Sequence, residues 1–560
     1  MTNDSTPNVL FIMADQMKSS ILRMYSEIGI ETPALERLAN EGVRFEHAIT
    51  PHPLCVPART SMMTGRYPHS TGCRRNETLM PENEQHAFRI WKNNGFATGL
   101  IGKNHCYIEP SDLELLDVRL EISHVGLPQQ GIFSDYKGEV PGTTGMDWSV
   151  PEAEITSWHE DRKNLNDNAQ SPRFSYKVSD RPEEHFGTSV IASQTEQFLE
   201  KYSRGEFSKN ANSEKTQGPD PFALWVSFPD PHEPYEAPRR YVDMFPPEDV
   251  VMPPQRTDEY TDGTAPERNR VLAKMMRQTE DSEEDRRGVV SVYQAMTRFV
   301  DDGITRILDK LDELGLRENT IVVFTADHGD FAGEHGMSVK GGVFYDALVK
   351  VPLVVSWPAG GVPQGTVDGS MASTIDILPT LLELQGLASF DDVGTGWARS
   401  EKREPTVLSE VETRFIQGRP LPTVTSSDPR GAAFSEYGAG GPLVTLDVLD
   451  EFEEPLGYRT IIETLWAREA EGRRKMVRTP EWKYITDPMA RGATLSSGSD
   501  GGPGDVDELY DLTKDPWELK NVAHLPEHAD VISEMRSLLA GWMIDTEDPY
   551  PVDVPETVGR

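Results

Sequence analysis

The chain predicts an α/β fold: a large, mostly parallel mixed sheet flanked by helices, with a smaller C-terminal antiparallel sheet and a helix beside it. Three observations carry that expectation. Four short apolar runs each end in a cluster of acidic, imidazole or amine side chains, as happens when parallel strands deliver ligands at their carboxyl ends. The stretch 289–314 places Val292, Met296, Phe299, Val300, Ile307 and Leu311 on one face at helical spacing. The segments around Met476–Tyr484 and Glu508–Leu512 alternate in the manner of antiparallel strands. Because 560 residues exceed one ordinary core, we expect a large unit over 1–395 and a smaller α+β unit over 396–560.

Taken in order, Asn8 to Ala14 is a buried strand closed by Asp15-Gln16. Thr32-Pro33 opens a helix with a cap residue and a proline at its first position, and Gly42 stops it. Gly95 to Ile101 is the second apolar run, ending in Gly102-Lys103-Asn104-His105. Phe222 to Phe228 is the third, ending in Pro229-Asp230-Pro231-His232, and Thr320 to Ala326 the fourth, ending in Asp327-His328-Gly329-Asp330. Val351 to Trp357 is a further run with no polar cluster after it. Residues 108–180, rich in charge, Gly and Pro and carrying Trp148 and Trp158, read as excursions over the active-site face. Residues 203–220 read as a mobile polar loop, and 390–460 as linker or substrate-facing loops. A helix over 531–542 closes the C-terminal part.

Composition narrows the function. A net charge of −37 argues against nucleic acid and anionic membranes as partners, since both need basic patches. Any bound anion then needs a local positive site set against the global field. The three cysteines, Cys55, Cys73 and Cys106, make no disulfide framework and suit a reducing compartment. The first residues show no basic region and no apolar run, and no stretch is long enough to cross a bilayer. A cytoplasmic enzyme acting on an imported small molecule is the expectation.

The chemistry concentrates at Cys55-Val56-Pro57-Ala58-Arg59, followed by Thr64-Gly65-Arg66. Pro57 suits the first turn of a helix, so the thiol stands at a helix mouth where free N–H groups favour an anion. Arg59, four residues on, can fold back over the sulfur. This segment resembles the C-x-P-x-R maturation signature of the formylglycine sulfatases, a branch of the alkaline phosphatase superfamily. The 476–484 and 508–521 segments are similar to that family's C-terminal signature.

The resemblance implies an alkaline phosphatase-like fold and hydrolysis of R–O–SO₃⁻. It also implies oxidation of Cys55 to an aldehyde by a formylglycine-generating enzyme, the aldehyde's hydrate being the nucleophile. It implies one divalent cation held by Asp15, Gln16, Asp327, His328 and residue 55. Oxygen-rich donors suit Ca²⁺, Mg²⁺ or Mn²⁺, and one imidazole shifts the balance towards Mn²⁺. Ca²⁺ is the first expectation.

Around the cation the resemblance assigns Arg59, Lys103 and Lys340 to the sulfate, Asp327 to the nucleophile's proton and His105 to sulfate release. It assigns His232 or Lys340 to the leaving oxygen. Lys103 and His105 share a face if their segment is extended. Many sulfatases have Asp where Gln16 stands and Asn where His328 stands. The Gln and His pair resembles phosphonate monoester hydrolases and choline sulfatases, so hydrolysis of phosphonate monoesters or phosphodiesters by the same machinery is the alternative. The expected partner is a small-molecule or saccharide sulfate ester. A homo-oligomer is compatible with the sequence, which sets no copy number.

Overall fold

The structure, a computed structural model, describes residues 6–78, 80–82, 84–107, 109–122, the backbone of 143–144, 176–207, 220–276, 282–390, 415–425, 427–452, 456, 464–465, 467–488, 507–546 and 548. Most of the 108–180 excursion, with Trp148 and Trp158, lies outside the described residues. So do the centre of the 203–220 loop and the expected boundary at 395/396.

In chain order the strands are β1 (Asn8–Ala14), β2 (Val43–Ile49), β3 (Ala97–Gly102), β4 (Val118–Glu121), β5 (Thr143–Thr144), β6 (Tyr176–Ser179), β7 (Phe222–Phe228) and β8 (Tyr235–Pro238). Then come β9 (Thr320–Ala326), β10 (Leu353–Ser356), β11 (Thr366–Ser373), β12 (Ala433–Tyr437), β13 (Arg474–Arg478), β14 (Trp482–Thr486) and β15 (Glu508–Asp511). The main sheet runs β11-β2-β10-β9-β1-β7-β3-β4-β5. Its pairings are parallel except those of β10 with β9 and β2, and of β5 with β4. The four runs read from sequence are therefore the adjacent strands β9, β1, β7 and β3, and their polar clusters emerge side by side at one edge. β10 runs the other way, so its carboxyl end lies at the opposite edge. That is why no polar cluster follows it.

These strands read as continuous apolar runs because both faces are covered: every residue of β1, β7 and β9 is buried. The long amphipathic helix spans Glu283–Glu313 and starts six residues earlier than its apolar face suggests. Ser282 Oγ caps it by accepting the Asp285 N–H at 3.0 Å, and the acidic residues Glu283, Glu284 and Asp285 favour the positive end of the helix. Asp301, on its buried face, accepts the Ala34 and Leu35 N–H groups at 3.1 and 3.0 Å. It thereby satisfies the open end of the helix Pro33–Asn40. Gly42 does not stop that helix through a left-handed turn. It lies two residues beyond, where an added Cβ would stand 2.2 Å from the Val355 carbonyl oxygen of β10.

The second sheet, β12-β13-β14-β15, is antiparallel throughout. The helix Ala529–Asp545 closes it, burying Met535, Leu539, Trp542 and Met543 with Val477, Tyr484 and Leu509. Asp346 ties this sheet to the main one, pairing with Arg478 at 2.9 Å and Lys483 at 2.7 Å. Among the described residues no helix is long and apolar enough to cross a membrane.

Candidate active site

Five strand ends meet around Cys55. β1 gives Asp15 and Gln16, β9 gives Asp327 and His328, β3 gives Lys103, β7 leads to His232, and the chain beyond β2 enters the helix Cys55–Thr64. Ligand atoms of Asp15, Cys55, Asp327 and His328 all lie within 4.8 Å of one another, and all four residues are buried. Cys55 Sγ stands 3.1 Å from His328 Nε2 and 3.8 Å from Asp15 Oδ1. Cys55 is the first residue of its helix, after Leu54 in extended conformation, so the sulfur sits at the helix mouth.

Arg59 stands close enough to Cys55 to interact with it electrostatically, but its hydrogen bonds go elsewhere. Its guanidinium is fully buried and reaches four strand ends: Nε donates to Asp327 Oδ2 at 2.8 Å and Nη2 to Asp15 Oδ2 at 3.0 Å. Nη1 donates to the Lys103 carbonyl at 2.8 Å and Ser227 Oγ at 3.0 Å. Burial would raise the Asp15 carboxyl, but Lys103, whose Nζ also touches it, and Arg59 hold it well below the usual range. In Asp327 burial and the charge of Asp15 push upward, yet the cations Arg59 and Lys103 help to keep it low. Both carboxylates are therefore ionised at neutral pH. Asp327 Oδ1 accepts the N–H groups of Gln16 at 3.0 Å and His328 at 2.9 Å. The first of these requires a sharp turn after β1, which the left-handed conformation of Gln16 provides (φ 63°).

A divalent cation fits these side chains. His328 Nδ1 lies 2.9 Å from the Gly329 carbonyl, which fixes the proton there and leaves the Nε2 lone pair towards Cys55. Burial lowers its pKa and keeps the ring neutral. Two carboxylates and an imidazole then face one point. Gln16 lies beside them with its amide engaged: Nε2 donates to Glu233 Oε2 at 2.8 Å and to Asp330 Oδ2, and Oε1 accepts from Lys340 Nζ. A second group, His69, Glu436 and Asp548, has comparable spacing but suits a cation poorly. His69 directs one ring nitrogen at Glu436 Oε1 and the other at the Thr546 carbonyl, and Lys475 already bridges the two carboxylates.

The remaining predicted residues divide. Lys103 Nζ lies 3.9 Å from Cys55 Sγ. Lys340 Nζ lies 2.8 Å from His232 Nε2, while His232 Nδ1 is 2.6 Å from the Glu233 carbonyl. That geometry puts the ring proton on Nδ1 and lets Nε2 accept from the ammonium. The segment after β3 is not extended. Gly102 (φ 113°) bends where a Cβ would strike the Ser227 carbonyl oxygen, and His105 lies in a bend at φ 58°. Simple alternation therefore does not put Lys103 and His105 on one face. Asp15 Oδ1, 3.8 Å from Cys55 Sγ, is also turned to residue 55. Burial, followed by the charge of Asp15, pushes the unmodified Cys55 thiol up to about 11, which leaves it protonated at neutral pH.

Sequence reasoning did not single out Glu233 as the partner of the Gln16 amide. Its only signal was adjacency to His232.

The family model described as Sulfatase matches residues 7–387, more than half of the chain. An ulvan-active sulfatase of Formosa agariphila is 28% identical over 69% of this chain, and the match spans 63% of that protein's own length. Two solved structures share the fold. A complex titled with its substrate D-glucosamine-2-N,6-O-disulfate superposes with a TM-score of 0.63 at 19% identity, covering 98% of this chain and 100% of the other. A phosphonate monoester hydrolase from Silicibacter pomeroyi superposes with a TM-score of 0.64 at 22% identity, covering 96% of each.

Proposed function

The chain belongs to the sulfatase family, a family of sulfuric ester hydrolases, and on that basis we propose that it hydrolyses a small-molecule or saccharide sulfate ester to an alcohol and inorganic sulfate. In this reading a formylglycine-generating enzyme matures Cys55, and Asp15, Asp327, His328 and residue 55 would hold one divalent cation, Ca²⁺ before Mn²⁺ or Mg²⁺. Gln16 lies at its edge. The observation that carries the reading is the convergence of Cys55, Asp15, Asp327 and His328 within 4.8 Å at the ends of β1 and β9, with Lys103 and Lys340 beside them.

A cation held there would supply positive charge to the sulfate oxygens and would acidify the attacking hydroxyl. Residue 55, as an aldehyde hydrate, offers one hydroxyl for attack on sulfur and a second whose deprotonation releases sulfate. A thiol has no second hydroxyl. Arg59 is a positioning residue: its bonds keep Asp15 and Asp327 ionised and in place. Asp327 is the candidate to receive the nucleophile's proton, with Asp15 Oδ1 also turned to residue 55. Lys103 and Lys340 hold the non-bridging oxygens, the electrostatic part of the acceleration. As the S–O bond to the leaving group breaks, the Lys340 ammonium or a proton passed through His232 Nε2 protonates the departing oxygen. His105 is reserved for the release step.

Gln16 and His328 favour a second reading, hydrolysis of phosphonate monoesters or phosphodiesters by the same groups, and the fold itself serves both chemistries. Two measurements test what the readings share. The tryptic peptide containing residue 55 should carry the aldehyde mass in active preparations, and exhaustive chelation should abolish turnover until metal is restored. Full activity with an unmodified thiol, or after complete chelation, would defeat the mechanism.

A further inference from the structure

A second cavity lies away from the catalytic cluster, under the C-terminal helix. Its volume is about 360 Å³, and Tyr67, Arg419, Arg430, Phe434 and Trp542 line it. Cys55 opens its helix, whereas Tyr67 follows the Gly65 cap at the other end. The ten-residue helix Cys55–Thr64 puts about 15 Å between the nucleophile and this cavity.

The walls pair apolar rings with concentrated positive charge. Trp542 stacks on Phe434 with ring centres 5.0 Å apart and meets Tyr67 edge-on at 5.0 Å. Arg430 is tied to Asp376. Arg419 is not: among the described residues no hydrogen bond or ion pair holds its half-buried guanidinium, and only its backbone N–H is engaged, by Asp376 at 2.8 Å. Burial and the neighbouring Arg430 press its pKa below the ordinary value, outweighing the opposite pull of Asp376, Tyr67 and Asp545. Tyr67 is buried beside Arg430, and the neighbouring Trp542 Nε1–H, also buried, has no hydrogen-bond acceptor among the described residues. Asp545, on the exposed rim, is the acidic residue of the lining.

We propose that this cavity is a second, non-catalytic binding site for a small organic oxyanion, a sulfonate, sulfate or carboxylate carried on a ring-sized apolar body. The oxyanion lies between Arg419, Arg430 and the Tyr67 hydroxyl, and the body lies against Trp542 and Phe434. Two convergent guanidinium groups suit the planar bidentate geometry of such anions, and mixed apolar and polar walls are the usual make-up of small-ligand sites. The site does not depend on the identity of the reaction at Cys55.

Benzenesulfonate, which cannot be hydrolysed as an ester, is the probe. It is titrated calorimetrically into the metal-loaded full-length protein. Arg419→Ala removes the unpaired charge. Gly541→Phe fills the cavity from the helix side, where an added Cβ meets nothing within 4 Å. Each variant should weaken this binding by about tenfold or more, the value of a charge-assisted contact. Lys103→Ala, at the catalytic cluster, should leave it unchanged. Thermal melting confirms that each variant is folded. No saturable binding by the wild type, wild-type isotherms in both cavity variants, or loss of all binding in Lys103→Ala would overturn the proposal.

Discussion

Replacing Arg59 with Met keeps most of the side-chain volume and removes only the fork that joins four strand ends. Asp15 would keep Lys103, and Asp327 Oδ1 would keep two backbone N–H groups. Asp327 Oδ2 would lose its only charged partner at 2.8 Å inside a fully buried site, and the Lys103 carbonyl and Ser227 Oγ would each lose a donor. Stranding one buried carboxylate costs about 3–5 kcal/mol. The assay is urea unfolding followed by tryptophan fluorescence, with the loss read from the first transition at constant slope. Protein stripped of metal should show the full loss. Excess Ca²⁺ should reduce it, because a cation at the same carboxylates offsets the charge that Arg59 leaves behind. Arg59→Lys should recover less than half, since one ammonium cannot reach all these acceptors. A loss under about 1 kcal/mol in chelator, no larger than a typical surface substitution, would refute the view that Arg59 carries the site's charge balance.

Other expectations follow from groups away from the cation. Burial would raise the Asp346 carboxyl, but Arg478 and Lys483 hold it well below its ordinary value. Its stabilising contribution is therefore complete above the unfolded pKa of about 3.9 and disappears as pH falls through the lower folded value. Asp346→Asn should destabilise by about 3–5 kcal/mol at neutral pH, with the difference from wild type shrinking towards pH 2 in acid-unfolding curves; a pH-independent difference would contradict this. Asp301 behaves oppositely. Burial lifts it to about 7, so the native state binds the proton more tightly and stability falls as pH rises from about 4 to 7. Asp301→Asn should flatten that part of the stability curve, and an unchanged slope would rule the assignment out. In the C-terminal sheet's core, Leu539→Ala should cost about 2–5 kcal/mol, measured by the same urea transition; a loss under 1 kcal/mol would mean the helix is not packed there.

Much of the fold was legible because buried parallel strands announce themselves. β1, β7 and β9 were read with their observed bounds, since continuous apolar runs leave no ambiguity of face. β2 and β11 were not singled out, because Val43–Ile49 mixes buried and half-buried positions and Thr366–Ser373 adds exposed ones, which blurs the run. The direction of β10 is a property of pairing, not of its own residues, and the polar first turn of Glu283–Glu313 faces water and leaves no apolar mark.

The site divides in the same way. Residues at strand ends were legible as clusters. The contacts that place Gln16 were not, because Lys340, Glu233 and Asp330 stand 324, 217 and 314 positions from it. The spacing of Arg59 from Cys55 pointed to the sulfur, whereas its hydrogen-bond partners come from the strand ends beneath the helix. Only tertiary structure could show that.

The most direct test of the central claim is kcat/KM for an aryl sulfate against an aryl phosphonate monoester, measured on one metal-loaded preparation whose residue 55 carries the aldehyde. The account predicts a clear preference for the sulfate, with Lys103 and Lys340 tuned to its oxygens. A clear preference for the phosphonate would contradict it and would make Gln16 and His328 the better guide to the reaction.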